Sequence, residues 1–308
     1  MSKVFCGVDF GTTNSSVALC DGTRVQVLSL DPENDNPMSL PSLVYITSDG
    51  ESIVGRAAAN AFIERNVDRE VLLKQVDLGI NIEAYVASEP DKSESYRPGV
   101  TDATVSEAVR ARAIVEVNSP GRLFQSLKTL LRHTTFKSTE VFGVHYQLEE
   151  LVGIILSRLR ESAEAASGMK IEHAAFGRPV RFSERDPEND LAERRLRNAA
   201  AIAGFKDVAF YYEPVGACIE YAMSVDARQR LMVVDIGGGT CDVCIMDFEG
   251  RGDIAQRLAD SRILAVAGVP VAGDAIDRDI IRGKLFPIFG SRARYGPSQL
   301  KMPQSIYH

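Results

Sequence analysis

The apolar positions along the chain change period several times. Residues 3–10 and 15–20 are short apolar runs on either side of Gly11-Thr12-Thr13-Asn14, a pattern that predicts two strands joined by a tight turn. A further strand is expected over residues 40–47, after the polar loop 31–37. From residue 145 to 167 the period becomes helical: Leu148, Leu151, Val152, Ile155 and Leu159 recur at spacings of three and four, and Gly168 follows as a stop. Residues 171–176 read as a strand ending in Gly177-Arg178-Pro179, and residues 191–203 as a second helix capped by Gly204. A strand over 208–212 leads into Glu213-Pro214, where the proline suits the first turn of a helix. Residues 230–236 and 242–248 form another strand–loop–strand unit. Strands alternating with helices of this length predict an α/β architecture with a largely mixed sheet. The polar, proline-bearing stretch 85–105 reads as an exposed loop or insertion, and the tail from Arg292 to His308 as irregular.

One pattern occurs twice. Val8-Asp9-Phe10-Gly11-Thr12-Thr13 near the start is echoed by Val234-Asp235-Ile236-Gly237-Gly238-Gly239-Thr240-Cys241-Asp242. Each is an apolar strand ending in Asp, then a Gly/Thr turn, then a second apolar strand. A repeated unit of this kind predicts two similar lobes facing each other.

The turns carry chemistry. Glycine lets the backbone come close to a ligand, and successive N–H groups in a tight turn make an anion-binding concavity. Thr12, Thr13 and Thr240 add hydroxyl donors for phosphate oxygens. Asp9 and Asp235 suit Mg²⁺ instead, through its retained waters, because Mg²⁺ prefers oxygen and dehydrates reluctantly. Asp242 is placed to support the same site or its water. Either turn alone is a weak signal; two in order, each after an Asp-ended strand, are a strong one. No G-x-x-x-x-G-K-[ST] occurs, which excludes a P-loop, and no G-x-G-x-x-G opens a helix, which argues against a dinucleotide fold.

Composition narrows the classes. The 308 residues suggest two domains, and 45% apolar with 25% charged residues is an ordinary globular balance. A net charge of −7 without a basic tail argues against nucleic acid as partner. No apolar run reaches membrane-spanning length and no signal peptide opens the chain, so no membrane and a cytoplasmic location are the expectation. Cys241 and Cys244 have C-x-x-C spacing, but residues three apart on a strand point to opposite faces, so they read as small buried apolar residues. The four histidines show no ligand spacing.

The two turns, with Glu213-Pro214-Val215-Gly216-Ala217 between them, resemble the actin, sugar kinase and heat-shock ATPase superfamily, and more narrowly the nucleotide-binding domain of DnaK-type, seventy-kilodalton heat-shock chaperones. Asp9 to Ser15 is similar to that family's first phosphate motif, and Asp235 to Asp242 to its second. Val271-Ala272-Gly273-Asp274-Ala275-Ile276-Asp277 resembles its Leu-Gly-Gly-x-x-Phe-Asp segment. The Gly177-Arg178-Pro179-Val180 turn, with residues 203–208, resembles the short YegD-type branch, which has the ATPase domain and no peptide-binding domain.

The resemblance implies an actin-like ATPase (ribonuclease H-like) fold: two lobes with mixed five-stranded sheets, residues 1–212 with an insertion at about 50–120, and residues 213–308. It implies ATP or ADP with Mg²⁺ as cofactors, contacts from Gly11, Thr12, Thr13 and Asn14 and from Gly237, Gly238, Gly239, Thr240 and Gly273, and a metal water shell held by Asp9 and Asp235. Lys128 would position the attacking water and Glu213 would sit near metal and water, so that Lys128, Glu213 and Asp235 form the catalytic set. The family's glycine after the lysine segment is Arg132 here.

The implied activity is Mg-dependent ATP hydrolysis coupled to lobe closure, in a chaperone-like role with a client or regulatory protein that the sequence does not name. The alternatives are a small-molecule kinase of the same superfamily and an actin-like nucleotide-dependent scaffold. In the family the second lobe continues with a helical subdomain around adenine and a late Gly-Gly motif. No Gly-Gly follows Gly239 here, so the second lobe is expected to be incomplete, with its adenosine side missing or supplied elsewhere.

Overall fold

A computed structural model describes residues 4–86, 105–225, 227–250, 254–295 and 300–301. By its internal contacts the chain forms two units, Met1–Glu64 with Gly121–His308, and Arg65–Pro120.

The larger unit is built on a mixed sheet ordered Asp207–Tyr212, His173–Arg178, Phe5–Phe10, Asn14–Cys20, Val25–Val27, with Leu40–Pro41 also paired to Asn14–Cys20. The first three strands run parallel and the rest antiparallel. Alternation along Phe5–Phe10 sends Cys6, Val8 and Phe10 into one core with Leu151, Ile155 and Leu159 of helix Leu148–Ser167 and Leu196 of helix Asp186–Ile202. The residues between them point the other way, and Asp9 is one of these.

A second, three-stranded antiparallel sheet is ordered Gln229–Ile236, Cys241–Phe248, Arg262–Val269. Leu231, Cys244, Met246 and Phe248 bury one face of it with Cys218 and Ala222 of helix Glu213–Met223. The register Met232↔Ile245, Val234↔Val243 and Ile236↔Cys241 places the alternate apolar residues on the opposite face, where Met232, Val234 and Ile236 are exposed. Cys241 and Cys244 therefore do not converge. Cys244 meets Cys218 instead, and all five cysteines are free.

The unit Arg65–Pro120 is an antiparallel hairpin of Leu73–Val86 and Val105–Glu116. Asn118 closes its base: its side chain accepts from the Leu72 N–H at 2.9 Å and donates to the Glu70 carbonyl at 2.8 Å. The loop expected over 85–105 lies mostly outside the described residues; the long strands flanking it were not foreseen.

Several expectations are corrected. The strand expected over 40–47 is two short ones, Leu40–Pro41 and Val44–Thr47, in different sheets, because Pro41 and Ser42 turn the chain between them. The helix expected from residue 145 begins at Leu148, since Val144–Gln147 pairs with Ser138–Val141. The helix expected from 191 begins at Asp186, with Pro187 in its first turn and the acidic Asp186 and Glu188 at its positive end. The sheets have six and three strands among the described residues rather than five each. The tail expected to be irregular pairs Arg294–Tyr295 with Leu300–Lys301. Among the described residues no helix is long and apolar enough to cross a membrane.

Candidate functional site

The two hairpins match in register as well as in sequence. Asp9 faces Ser16 and Asp235 faces Asp242, each one step before the strand end, where Phe10 faces Ser15 and Ile236 faces Cys241. Each Asp is thus delivered to the base of its turn by the same pleat.

Each turn is then fixed through its carbonyls. In the first, Ser42 donates its backbone N–H to the Thr13 carbonyl at 2.8 Å and its hydroxyl to the Gly11 carbonyl at 2.9 Å. In the second, the Gly237 and Gly238 carbonyls accept from the N–H groups of Gly273 and Asp274, at 3.1 and 2.9 Å, where helix Gly273–Ile280 begins. With the carbonyls so engaged, the N–H groups of Thr12, Thr13, Gly238 and Gly239 have no acceptor among the described residues. Clustered free N–H groups of this kind make an anion nest.

The turns meet at one cavity of about 450 Å³. Asp9, Gly11, Thr12, Thr13 and Asn14 line one part of it, and Asp235, Ile236, Gly237, Gly238, Gly239 and Thr240 another. Lys128, Glu213, Gly273, Asp274 and Asp277 complete the lining. Approach is close. A Cβ on Gly238 would stand 2.5 Å from Thr13 Oγ1, and one on Gly239 would stand 2.7 Å from Thr12 Oγ1. The structure therefore brings the residues that the sequence suggested for phosphate, metal or water to one cavity, with the exception of Asp242.

Lys128 lies in the single helical turn Leu127–Leu130 and is buried. Its Nζ donates to Glu213 Oε1 at 2.6 Å. Burial favours the neutral amine, but the charges of Glu213 and Asp9 outweigh it and hold the ammonium above its ordinary value. Burial pushes the Glu213 carboxyl up, Lys128 draws it back, and Asp9 adds to the rise. The result is an anchored cation beside a carboxylate whose affinity for a proton is raised, the combination that general-base chemistry uses.

Three supports of this arrangement escaped the sequence reading. Ser42 is one. Arg195 is another: its buried guanidinium donates to the carbonyls of Leu131, His133 and Phe136 at 3.2, 2.9 and 2.9 Å and pairs with Glu149 at 3.4 Å, so it fixes the chain leaving the Lys128 turn. The third is Arg132, which donates to the carbonyls of Phe182 at 2.8 Å and Pro270 at 3.2 Å. The only sequence signal for Arg195 was a charged residue on the apolar face of a helix. Asp242 does not line the cavity. It is buried and accepts from the Val180 N–H at 2.8 Å, joining the second hairpin to the turn after strand His173–Arg178.

Asp9 is reached by water in the cavity yet crowded by protein, and its carboxyl is pushed above the ordinary value, first by burial and then by Asp235, with Lys128 opposing. A carboxyl raised on folding stabilises the fold below its unfolded pKa, about 4, and that share is lost as pH rises through the folded value. Asp9→Asn should therefore flatten the fall of melting temperature above about pH 4 and melt higher than wild type at neutral pH. Thermal melts of both proteins across a pH series check this; parallel curves would show that Asp9 carries no such strain.

The fold and site define an α/β protein with two glycine–threonine turns around one acidic cavity. Residues 110–257, just under half of the chain, match the family model described as Hsp70 protein. The matched stretch holds Lys128, Glu213, Asp235 and the Gly237–Thr240 turn; Asp9 to Asn14 and Gly273 lie outside it. A match to Hsp70 implies an actin-like ATPase fold for that stretch and supports reading it as part of an Hsp70-type nucleotide-binding domain.

Proposed function

We propose that this chain binds ATP and ADP with Mg²⁺ and hydrolyses ATP to ADP and phosphate, in the chaperone-like role of an Hsp70 relative of the short YegD type acting in the cytoplasm. The observation that carries the reading is the meeting of both Gly/Thr turns at one cavity, with the Gly11, Thr13, Gly237 and Gly238 carbonyls engaged and the N–H groups of Thr12, Thr13, Gly238 and Gly239 without an acceptor among the described residues. On this reading residues 1–212 and 213–308 act as two lobes that close on the nucleotide.

The donor set fits a hydrated divalent ion. Five carboxylates line the cavity (Asp9, Glu213, Asp235, Asp274 and Asp277) against one ammonium, Lys128, a balance that would repel a bare polyphosphate. On this reading Asp9 and Asp235 would hold the ion through its own waters, since Mg²⁺ dehydrates reluctantly. When bound, Mg²⁺ neutralises phosphate charge and stabilises the transferring group. The protein's own part is to hold the phosphates on the two nests, to orient a water with the Lys128 ammonium, and to accept its proton at Glu213. The Glu-Pro helix and triple-glycine turn favour the chaperone type over a small-molecule kinase.

Asp9→Asn and Asp235→Asn should each weaken Mg-ATP binding by roughly tenfold or more while leaving the weak metal-free binding in EDTA nearly unchanged. Isothermal titration with Mg²⁺ and with EDTA tests this. Equal Mg²⁺ dependence in wild type and both variants would remove the metal assignment.

A further inference from the structure

Two connections join the Lys128 turn to the second glycine turn, and both end on the same short segment, residues 270–274. That segment already registers the second turn, through the N–H groups of Gly273 and Asp274 on the carbonyls of Gly237 and Gly238. The Asp274 carboxylate also accepts from the Ser126 hydroxyl at 3.1 Å, immediately before the helical turn Leu127–Leu130. The Pro270 carbonyl accepts from the Arg132 guanidinium at 3.2 Å, just after that turn. Between the two ties the turns are in contact: a Cβ on Gly239 would stand 2.8 Å from Thr129 Cγ2. The stretch that carries Lys128 is thus held at its start, middle and end by the elements that shape the second glycine turn.

The first tie is made at a strained residue. Ser126 has φ 54° and ψ 31°, the left-handed conformation that a residue with a Cβ adopts at a cost. Its carbonyl accepts from the Thr129 N–H at 3.0 Å and the Thr129 hydroxyl at 2.7 Å, which closes the turn around that conformation. Glycine would take the same conformation without strain. What serine adds there is the hydroxyl that reaches Asp274. Strain of this kind persists where the surrounding structure over-determines a geometry. The second tie is made where the resembling family has glycine, which has no side chain to make it. The same Arg132 nitrogen also donates to the Phe182 carbonyl at 2.8 Å.

We propose that Ser126 and Arg132 are positioning residues for Lys128. Through Asp274 and Pro270 they fix the backbone under the ammonium relative to the second glycine turn, so that a phosphate on that turn and a water oriented by Lys128 keep one spacing. Glu213 aims the Lys128 side chain; the two ties set where its backbone stands. Both roles rest on the hydrolytic reading of the site. Neither residue lines the cavity, so both act through Lys128 and their loss is felt in the chemical step rather than in binding.

The test measures Mg-ATP affinity, single-turnover hydrolysis and melting temperature in Arg132→Met, Arg132→Lys and Ser126→Gly. Arg132→Met should slow hydrolysis roughly 10–100-fold while affinity moves less than about threefold. Arg132→Lys keeps a donor able to reach both carbonyls and should return the rate to within about threefold of wild type. Ser126→Gly should slow hydrolysis about tenfold without lowering the melting temperature, because tie and strain are lost together. It carries the test even if Arg132→Met does not fold. Introduced into Lys128→Met, neither Arg132→Met nor Ser126→Gly should slow the residual rate by more than about twofold further. Full additional losses in that background would show that the two residues act without Lys128. A matching fall in ATP affinity would make them part of the phosphate cradle, and unchanged rates would leave the ties structural only. Each of these three results overturns the proposal. Wild type that binds Mg-ATP but does not turn it over would overturn the hydrolytic reading first, and both roles with it.

Discussion

Gly238→Val should lower nucleotide affinity about 100-fold, or ~2.7 kcal/mol, with the fold retained. The cause is steric. The first added carbon would stand 2.5 Å from Thr13 Oγ1 and 2.9 Å from Asp274 Oδ1, and the branches of valine would extend farther into the space offered to phosphate. The Thr13 hydroxyl must rotate away or the turns must separate, and both outcomes disperse the N–H groups that make the nest. Gly216→Ala is the matched control. Gly216 lies within helix Glu213–Met223, and a Cβ there meets nothing within 4 Å, so the change should be neutral or stabilise by up to about 1 kcal/mol. Titration with Mg-ATP and circular dichroism on both variants decide the matter; full affinity in Gly238→Val would mean that the turn does not hold phosphate.

Lys128→Met should slow single-turnover ATP hydrolysis by about 10²–10⁴-fold with little change in ATP affinity, because a group that orients water acts on the transition state. It should also cost stability, on the order of 3–5 kcal/mol, since Glu213 is left in its buried place without the 2.6 Å partner. The two effects are separable. Adding Glu213→Gln removes the orphaned charge, so the double variant should regain much of the stability seen in denaturant melts. Turnover should stay lost. Recovery of hydrolysis along with stability would show that the pair is structural only.

What the sequence revealed of this site was local. Both turns, their terminal Asp residues and the Glu-Pro helix start are written in contiguous residues, where glycine, threonine and proline each declare a backbone geometry. Lys128 came only from resemblance, for a lysine on a short amphipathic segment is usually just solvated. What escaped were contacts between distant segments. Ser42 pins the first turn from 31 residues away from Gly11, and Arg195 fixes the chain after Lys128 from more than 60 residues downstream. A single serine or arginine shows no period, so pattern reading passes over it. The start of helix Asp186–Ile202 was missed for a different reason: Asp-Pro-Glu-Asn-Asp has the composition of a loop and also that of a good helix N-terminus. The hairpin Leu73–Val86 with Val105–Glu116 was lost under the charge of the segment it encloses.

The polar ties beneath the cavity have a mechanical consequence. Asp242 holds the Val180 N–H, and the Arg132 guanidinium grips the carbonyls of Phe182 and Pro270. Each tie clamps backbone leaving the first sheet to the second, and at Gly268 of the second sheet a Cβ would stand 3.2 Å from Val180 Cβ. On the proposed reading of two lobes closing on a nucleotide, these ties would make the floor of the cleft a pivot rather than a gate. Widening at the mouth would swing about this line with small displacement at its base, so the levers of motion would be long and the aspartates nearest the axis would travel least.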